Sequence, residues 1–397
     1  MIGQDVLNLQ ENRFSRINAL DRYRGLAIAL MIMFGAAKMF TATDFFVQLS
    51  THDLSLSWQL IPGYGFYDII APLFVFASGL AFHYSSKKSI FKNNIYYVKN
   101  KNLIHSFKIL GVGSLLLFDF SNFIGIIFFV LMALAIILVA LSIFVKKWSR
   151  IISKIFHYSL IFLGVFIVII NIIETILSLC NQPTFTSHWG PLLSIGIGML
   201  ICSFIVDKSP LRKFIFVFSF IIVYYFLNII VPLKAFEFTH GGILGSLGYA
   251  LLFVMGDAIL EYKDNKIGSL IFAIFLFILS AFVTKIITPS KEIVTLSYIL
   301  LSFVFCYTVY LIFVFFDFIP NFKFPVLTIL GKNSLTAYCL HFALSFTYGI
   351  CMNALIDYLP MKGILQIILF VLAQILYAFL MAALLLKLSK NKLVIKL

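Results

Sequence analysis

Long apolar runs, separated by short polar or charged stretches, dominate this chain. Leu160–Ile170 is one such run, and Val304–Phe316 holds no charged residue. Within the runs apolar residues follow one another, without the every-second-residue alternation of a half-buried strand. A helix needs about 20 apolar residues to cross the hydrocarbon of a bilayer. Lipid offers the backbone no hydrogen-bond partner, so only helices or closed barrels span it, and barrel strands would alternate. The pattern predicts twelve spans, at 25–41, 66–85, 105–119, 121–145, 156–179, 190–206, 213–233, 241–260, 267–286, 292–316, 325–349 and 363–386. Fusing the third and fourth across Asp119–Ser121 would give eleven. The expected fold class is therefore all-α, a polytopic helical membrane bundle of 11–12 transmembrane helices forming one domain over 1–397, with 1–24 as an N-terminal segment.

Composition agrees with this picture. The chain is 62% hydrophobic and 12% charged, against about 45–50% and about 25% in soluble domains. A net charge of +14 raises the question of nucleic acid, but the distribution answers it. With the N-terminus inside, all of the 30 Lys and Arg except Lys38, Lys234, Lys285, Lys291 and Lys362 fall on the inner side. This is the positive-inside bias. It predicts that both termini are cytoplasmic and that no nucleic acid is bound. The first 24 residues are polar and show no signal peptide. The five cysteines have no metal or redox spacing, and no metal is expected. No fixed-period repeat and no inverted repeat is evident. Pro72 lies inside the second predicted span, where a kink is expected. The longest inner connection, Ser86–Ile104, is strongly basic, and the longest outer one, Thr41–Gly65, is polar and aromatic.

In so apolar a sequence the informative residues are the polar ones. His83, His105 and His157 sit near inner ends of predicted spans. His52, His188 and His240 sit on the outer side, with His341 in the outer part of span eleven. The first outer loop carries His52, Asp53 and Trp58, and Asp68 opens the next span. A carboxylate beside a histidine orients the ring and raises its basicity, which suits a general base; the ordinary reading of Asp68 is a helix-start residue favoured by the dipole. His188-Trp189-Gly190 and Thr239-His240-Gly241-Gly242 precede two further spans, where loop chemistry with an interfacial aromatic is the ordinary reading. Inside, Asp21-Arg22-Tyr23-Arg24-Gly25 opens span one. Asp21 and Arg24 share a face, as a capped helix start or, for Arg24, as a phosphate ligand. In Gly331-Lys332-Asn333-Ser334-Leu335 and beyond, Ser334, Tyr338 and His341 line one face of span eleven. They serve there either a cavity or interhelical hydrogen bonds.

These landmarks resemble a known family. Arg16-Ile-Asn-Ala-Leu-Asp-Arg-Tyr-Arg-Gly-Leu-Ala-Ile-Ala-Leu-Met is similar to the pattern R-x-x-[SA]-L-D-x-x-R-G-[LI]-A-[IL]-x-L-M. Tyr67-Asp-Ile-Ile-Ala-Pro-Leu-Phe-Val-Phe-Ala-Ser-Gly79 resembles D-L-x-F-P-x-F-x-F-x-x-G. Gly242-Ile-Leu-Gly resembles the central element E-G-[IL]-L of the same family, and Gly331-Lys-Asn-Ser-Leu-Thr-Ala-Tyr resembles G-x-N-S-[LI]-x-x-Y. Together they point to the heparan-α-glucosaminide N-acetyltransferase catalytic-domain family, in a wider clan of membrane-bound sugar acyltransferases. The resemblance implies transfer of an acyl group, usually acetyl, from cytoplasmic acetyl-CoA or another acyl-CoA to a sugar amine or hydroxyl of an extracytoplasmic glycan. It implies a catalytic histidine in the first outer loop, here His52, with Asp68 as its orienting or structural partner. Arg22, Arg24, Lys87 and Lys88 would hold the coenzyme phosphates. Asp21, Trp58, His188, Trp189, His240, Asn333, Ser334, Tyr338 and His341 would line the channel and acceptor site. His52 stands sixteen residues before Asp68, a wider spacing than the family's. The family's span-one asparagine falls on Gly35 and its Gln-Arg pair near Phe128-Phe129.

Two other readings stay open. A transporter or flippase for a glycan-linked lipid or small solute suits twelve spans with both ends inside, but Glu174 is the main carboxylate visible within a span, and coupled transport usually places such groups near the midplane. A catalytically silent member of the same fold suits the replaced positions. The remaining partners are membrane lipids; a homodimer is compatible with the sequence, though no motif encodes one. Lysine- and isoleucine-rich usage points to a bacterial inner or plasma membrane.

Overall fold

A helix in a soluble protein turns its apolar residues inward, but several helices here turn them out. The computed structural model describes residues 18–37, 59–61, 64–116, 149–180, 190–236, 241–261, 266–319, 324–341, 344 and 364–390. Its helices are α1 (Asn18–Ala37), α2 (Ile70–Lys92), α3 (Ile95–Leu115), α4 (Ser149–Leu179), α5 (Pro191–Ile205), α6 (Pro210–Ile230), α7 (Gly242–Glu261), α8 (Lys266–Ile286), α9 (Leu296–Phe316), α10 (Pro325–Lys332) and α11 (Ile364–Lys390), with a further helical stretch at 334–341. Phe162, Ile173 and Ile176 of α4, Val223 and Ile230 of α6, and Phe277, Ile278 and Phe282 of α8 are exposed. Meanwhile Ser194, Ser246, Asn171 and Glu174 are buried. Apolar outside and polar inside is the arrangement lipid requires. Among the described residues six helices, α4, α6, α7, α8, α9 and α11, are long and apolar enough to cross a bilayer. The chain is an all-α membrane protein.

Every predicted span overlaps helix except 121–145, which lies outside the described residues. The boundaries differ for identifiable reasons. α1 starts at Asn18 rather than Gly25, because a carboxylate from elsewhere satisfies its first turn (below). The predicted basic loop Ser86–Ile104 is almost all helix: α2 runs to Lys92, and Asn94 caps α3 by accepting from the Tyr96 amide at 3.0 Å. Only Asn93 and Asn94 connect them. Pro72 lies in the first turn of α2, where no intrahelical bond is lost, so the expected kink has no cause. The span predicted at 325–349 is interrupted at Asn333, which ends α10. Between α1 and α2, β1 (Gln59–Ile61) and β2 (Tyr64–Gly65) form a short antiparallel hairpin.

Packing divides the chain into two compact units, one mainly 78–303 and the other 16–77 with 304–396. The division falls inside α2 and α9, continuous helices whose composition does not change there. In the first unit α7 is buried along nearly its whole length and packs on α4, α5 and α6. α3 crosses α4 with the backbones in contact: a Cβ on Gly111 would lie 2.0 Å from the Leu160 carbonyl oxygen, and one on Gly164 2.0 Å from that of Phe107. The second unit is organised by α1 against α10, crossing at Gly25 and Gly331. A Cβ on Gly25 would stand 1.8 Å from the Leu327 oxygen, and one on Gly331 1.7 Å from the Asp21 oxygen. Helices in lipid gain from such small-residue crossings because close packing replaces the hydrophobic drive that lipid removes.

Gly331→Ala must therefore push two helices apart, and it should destabilise by about 3 kcal/mol or more. Gly190→Ala, where no atom of the described residues lies within 4 Å of the new methyl, should stay within about 0.5 kcal/mol. Unfolding midpoints of the detergent-purified variants check both.

Candidate functional site

The charged start of α1 is held from a distance. Asp317, just past α9, accepts from the Ala19 amide at 2.9 Å through one oxygen and from Arg22 Nη1 at 2.7 Å through the other. The first amides of a helix have no intrahelical partner, and a carboxylate there meets the positive end of the dipole. Asp317 thus does an N-cap's work from across the fold. The Arg22 guanidinium also lies 5.8 Å over the Phe324 ring. Tyr23, fully buried, packs edge-on against Phe76, Tyr310 and Phe313. Arg24 Nη2 donates to Ser334 Oγ. The predicted channel residues near Ser334 divide by role. Asn333 Nδ2 donates to the Ile329 carbonyl at 3.1 Å and closes α10. Ser334, Tyr338 and His341 are all buried, as one shared face requires, and Tyr338 stacks on Phe74 at 5.6 Å. Asp21 is buried as well.

Asp68 accepts from the Gly65 amide at 2.9 Å. It sits in a single 3-10 turn, Phe66–Ile69, and ties the end of the hairpin to the start of α2. His52, Trp58, His188, Trp189 and His240 lie outside the described residues. The glycines after His240 are described: Gly241 and Gly242 have φ of 70° and 59°. Gly241 faces Val294, a β-branched residue at φ 48°, held by Tyr224 Oη donating to its carbonyl at 2.6 Å. Such a conformation costs on the order of 1–3 kcal/mol and persists only where surroundings enforce it.

The first unit contains a cluster that the hydropathy pattern did not reveal. Lys213, in the first turn of α6 and 0% exposed, donates to Asp257 at 2.7 Å and to Glu261 at 2.8 Å, both in the last turns of α7. His83 of α2 donates from Nδ1 to Asp257 at 3.1 Å, and Lys87 pairs with the other oxygen of Glu261. Two ammonium groups thus face two carboxylates. Three of these four charges oppose their own helix dipoles, Lys213 at a positive end and Asp257 and Glu261 at a negative one. Only their mutual pairing makes them tolerable. Lys88 is exposed, and Lys99 is bound to Asp207 at 3.0 Å. Lys213 had counted only toward orientation; the signal that would have found the network is Asp257, a carboxylate inside an otherwise apolar run. A second polar group appears in the other unit, where buried Gln374 and His341 flank Tyr377.

Comparison with models of known protein families finds no match, and comparison with curated proteins finds none either. Among the described residues no group of three or more His, Cys, Asp or Glu could hold a metal ion.

Lys213→Met would leave Asp257, 1% exposed, without its main counter-charge, and it should destabilise by about 3–5 kcal/mol. Lys213→Met with Asp257→Leu removes the pair together and leaves Glu261 to Lys87, so most of that loss should return. Comparison of the three unfolding midpoints checks the coupling.

Proposed function

We propose that the chain is a transmembrane acyltransferase with about twelve spans and cytoplasmic termini in a bacterial inner or plasma membrane. It would move an acyl group, acetyl by preference, from cytoplasmic acyl-CoA to a sugar amine or hydroxyl of an extracytoplasmic glycan. One observation carries the reading. The two motifs on which the family resemblance most depends, 310 residues apart at Arg24 and Ser334, are joined by a hydrogen bond, and their glycines, Gly25 and Gly331, make one backbone crossing. Stretches with no reason to be alike singly act as one structural piece, which is what a shared fold would demand of them.

In this reading the phosphates of the coenzyme, which cannot enter lipid, stay at the cytoplasmic mouth. Of the residues predicted to hold them, Lys87 is committed to Glu261 and Arg22 to Asp317. The reading assigns the role to exposed Lys88 and to Arg24 of the first motif, whose planar guanidinium suits a phosphate. Ser334 and Tyr338 lie along the path of the pantetheine arm. His52 acts as base on the acceptor, so that the sugar nitrogen or oxygen attacks the thioester carbonyl, the thiolate leaves, and the acceptor's proton passes to the imidazole. Alignment of the two substrates supplies much of the rate, worth about 7–11 kcal/mol in well-oriented systems.

The buried Lys213–Asp257–His83–Glu261–Lys87 network favours one other reading, a proton- or ion-coupled transporter, because ionisable groups within a bundle commonly mark such paths. Acyl-CoA binding to purified protein separates the two. Saturable binding that weakens about tenfold in Arg24→Ala, with transfer abolished in His52→Ala, is the expected result. Solute movement in proteoliposomes that consumes no acyl-CoA and stops in Asp257→Asn would establish the transporter instead.

A further inference from the structure

α11 buries a single stripe, Gln374, Tyr377, Ala378, Met381, Ala382 and Leu385, and turns residues such as Leu372, Leu376 and Leu380 outward. The stripe has helical period, and from Ala378 on it is what a helix packed on apolar neighbours requires. Gln374 does not fit. It is 0% exposed, and neither its amide nitrogen nor its oxygen has a hydrogen-bond partner among the described residues. One turn later, and therefore beside it, the Tyr377 ring lies 6.1 Å from the ring of His341. His341 is 5% exposed, and its Nδ1 also has no partner among the described residues. Two orphaned polar side chains, one from α11 and one from the stretch 334–341, thus border the same aromatic ring.

Buried polar groups in native proteins are almost always satisfied, and each exception needs an explanation. A carboxamide brings two donors and one acceptor, and an imidazole brings one of each. Their complement is a neutral group that both accepts and donates, since only His341 in this cluster can carry charge. A secondary amide has that pattern. We propose that Gln374 and His341 form a binding site for a neutral amide, with Gln374 Nε2 donating to the ligand carbonyl and the ligand N–H donating to Nδ1 of His341. Tyr377 supplies a flat wall. The site stands on its own geometry; only the two sources of the amide, the pantetheine arm of an acyl donor and an N-acylated sugar, rest on the acyltransferase reading.

The test uses the full-length protein in detergent with two probes, pantetheine and N-acetylglucosamine. At least one should bind saturably and raise the unfolding midpoint. Its affinity should fall at least about tenfold in Gln374→Met, and likewise in His341→Phe. Without probe, the Gln374→Met midpoint should be unchanged or higher, because methionine fills a similar volume without orphaned polar atoms. A response to pantetheine alone assigns the site to a donor arm, and a response to N-acetylglucosamine alone assigns it to a sugar. Binding of neither probe, wild-type affinity in either variant, or a lower unliganded midpoint in Gln374→Met with probe affinity intact would overturn the proposal, the last by making Gln374 a structural residue. Acyl transfer by the wild type tests the acyltransferase reading, and probe binding to Gln374→Met and His341→Phe tests this site alone, so failure of acyl transfer and failure of this site are separate results.

Discussion

Lipid has no hydrogen bonds to give, and the rest of the structure follows from that. Each polar group drawn into the bundle must be answered by another group of the protein. In water the opening turn of α1 could be solvated. Here Asp317, far along the sequence, reaches back to the Ala19 amide and Arg22 together. The same demand pairs Ser194 with Ser246 at 3.1 Å and Tyr249 with Tyr298 at 3.2 Å. Such bonds are individually modest in membrane proteins, about 0.6 kcal/mol on average. Their role is to relieve a penalty rather than to drive assembly. Assembly depends instead on close approach, which explains glycines placed where one helix backbone rests on another.

The hydropathy runs made the helices legible because a span's length and composition are local properties. What stayed hidden was every feature fixed by a distant partner. Nothing local singles out Asp317, and Lys213 reads as one more positive-inside lysine. The helical reach of α2 and α3 across Lys87–Lys108 was masked because polar residues at a helix end read as loop. Asn333 reads as a channel-lining group, and its amide closes α10. Ser334, Tyr338 and His341 did come out on one buried face, since spacing by four and three is a local rule that tertiary packing need not disturb.

The motifs that carry the family resemblance mix two kinds of residue. Gly25 and Gly331 are dictated by the crossing of α1 and α10, and Asn333 by a helix end; any sequence folded this way would need them. Arg24 and Ser334 are not dictated by packing in that sense. A hydroxyl could be replaced by a methyl and a guanidinium by an apolar stem with less strain in lipid.

The same reasoning reaches furthest at Lys213, Asp257 and Glu261. Removing two opposite charges from water costs several kcal/mol each, and replacing such a pair by apolar side chains is often neutral or stabilising. The helix dipoles make this placement worse, since all three charges sit at the wrong ends of their helices. Neither burial nor helix electrostatics explains a network that a Leu–Met–Leu core would fill at lower cost. Registry does not explain it either, because α7 is already fixed by continuous burial against α4, α5 and α6. What an apolar core cannot do is exchange a proton, change its pairing, or hold a charge beside His83. A cluster whose stability rules argue against it, held between helices that need no further fixing, keeps paired charges buried where the start of α6 meets the end of α7.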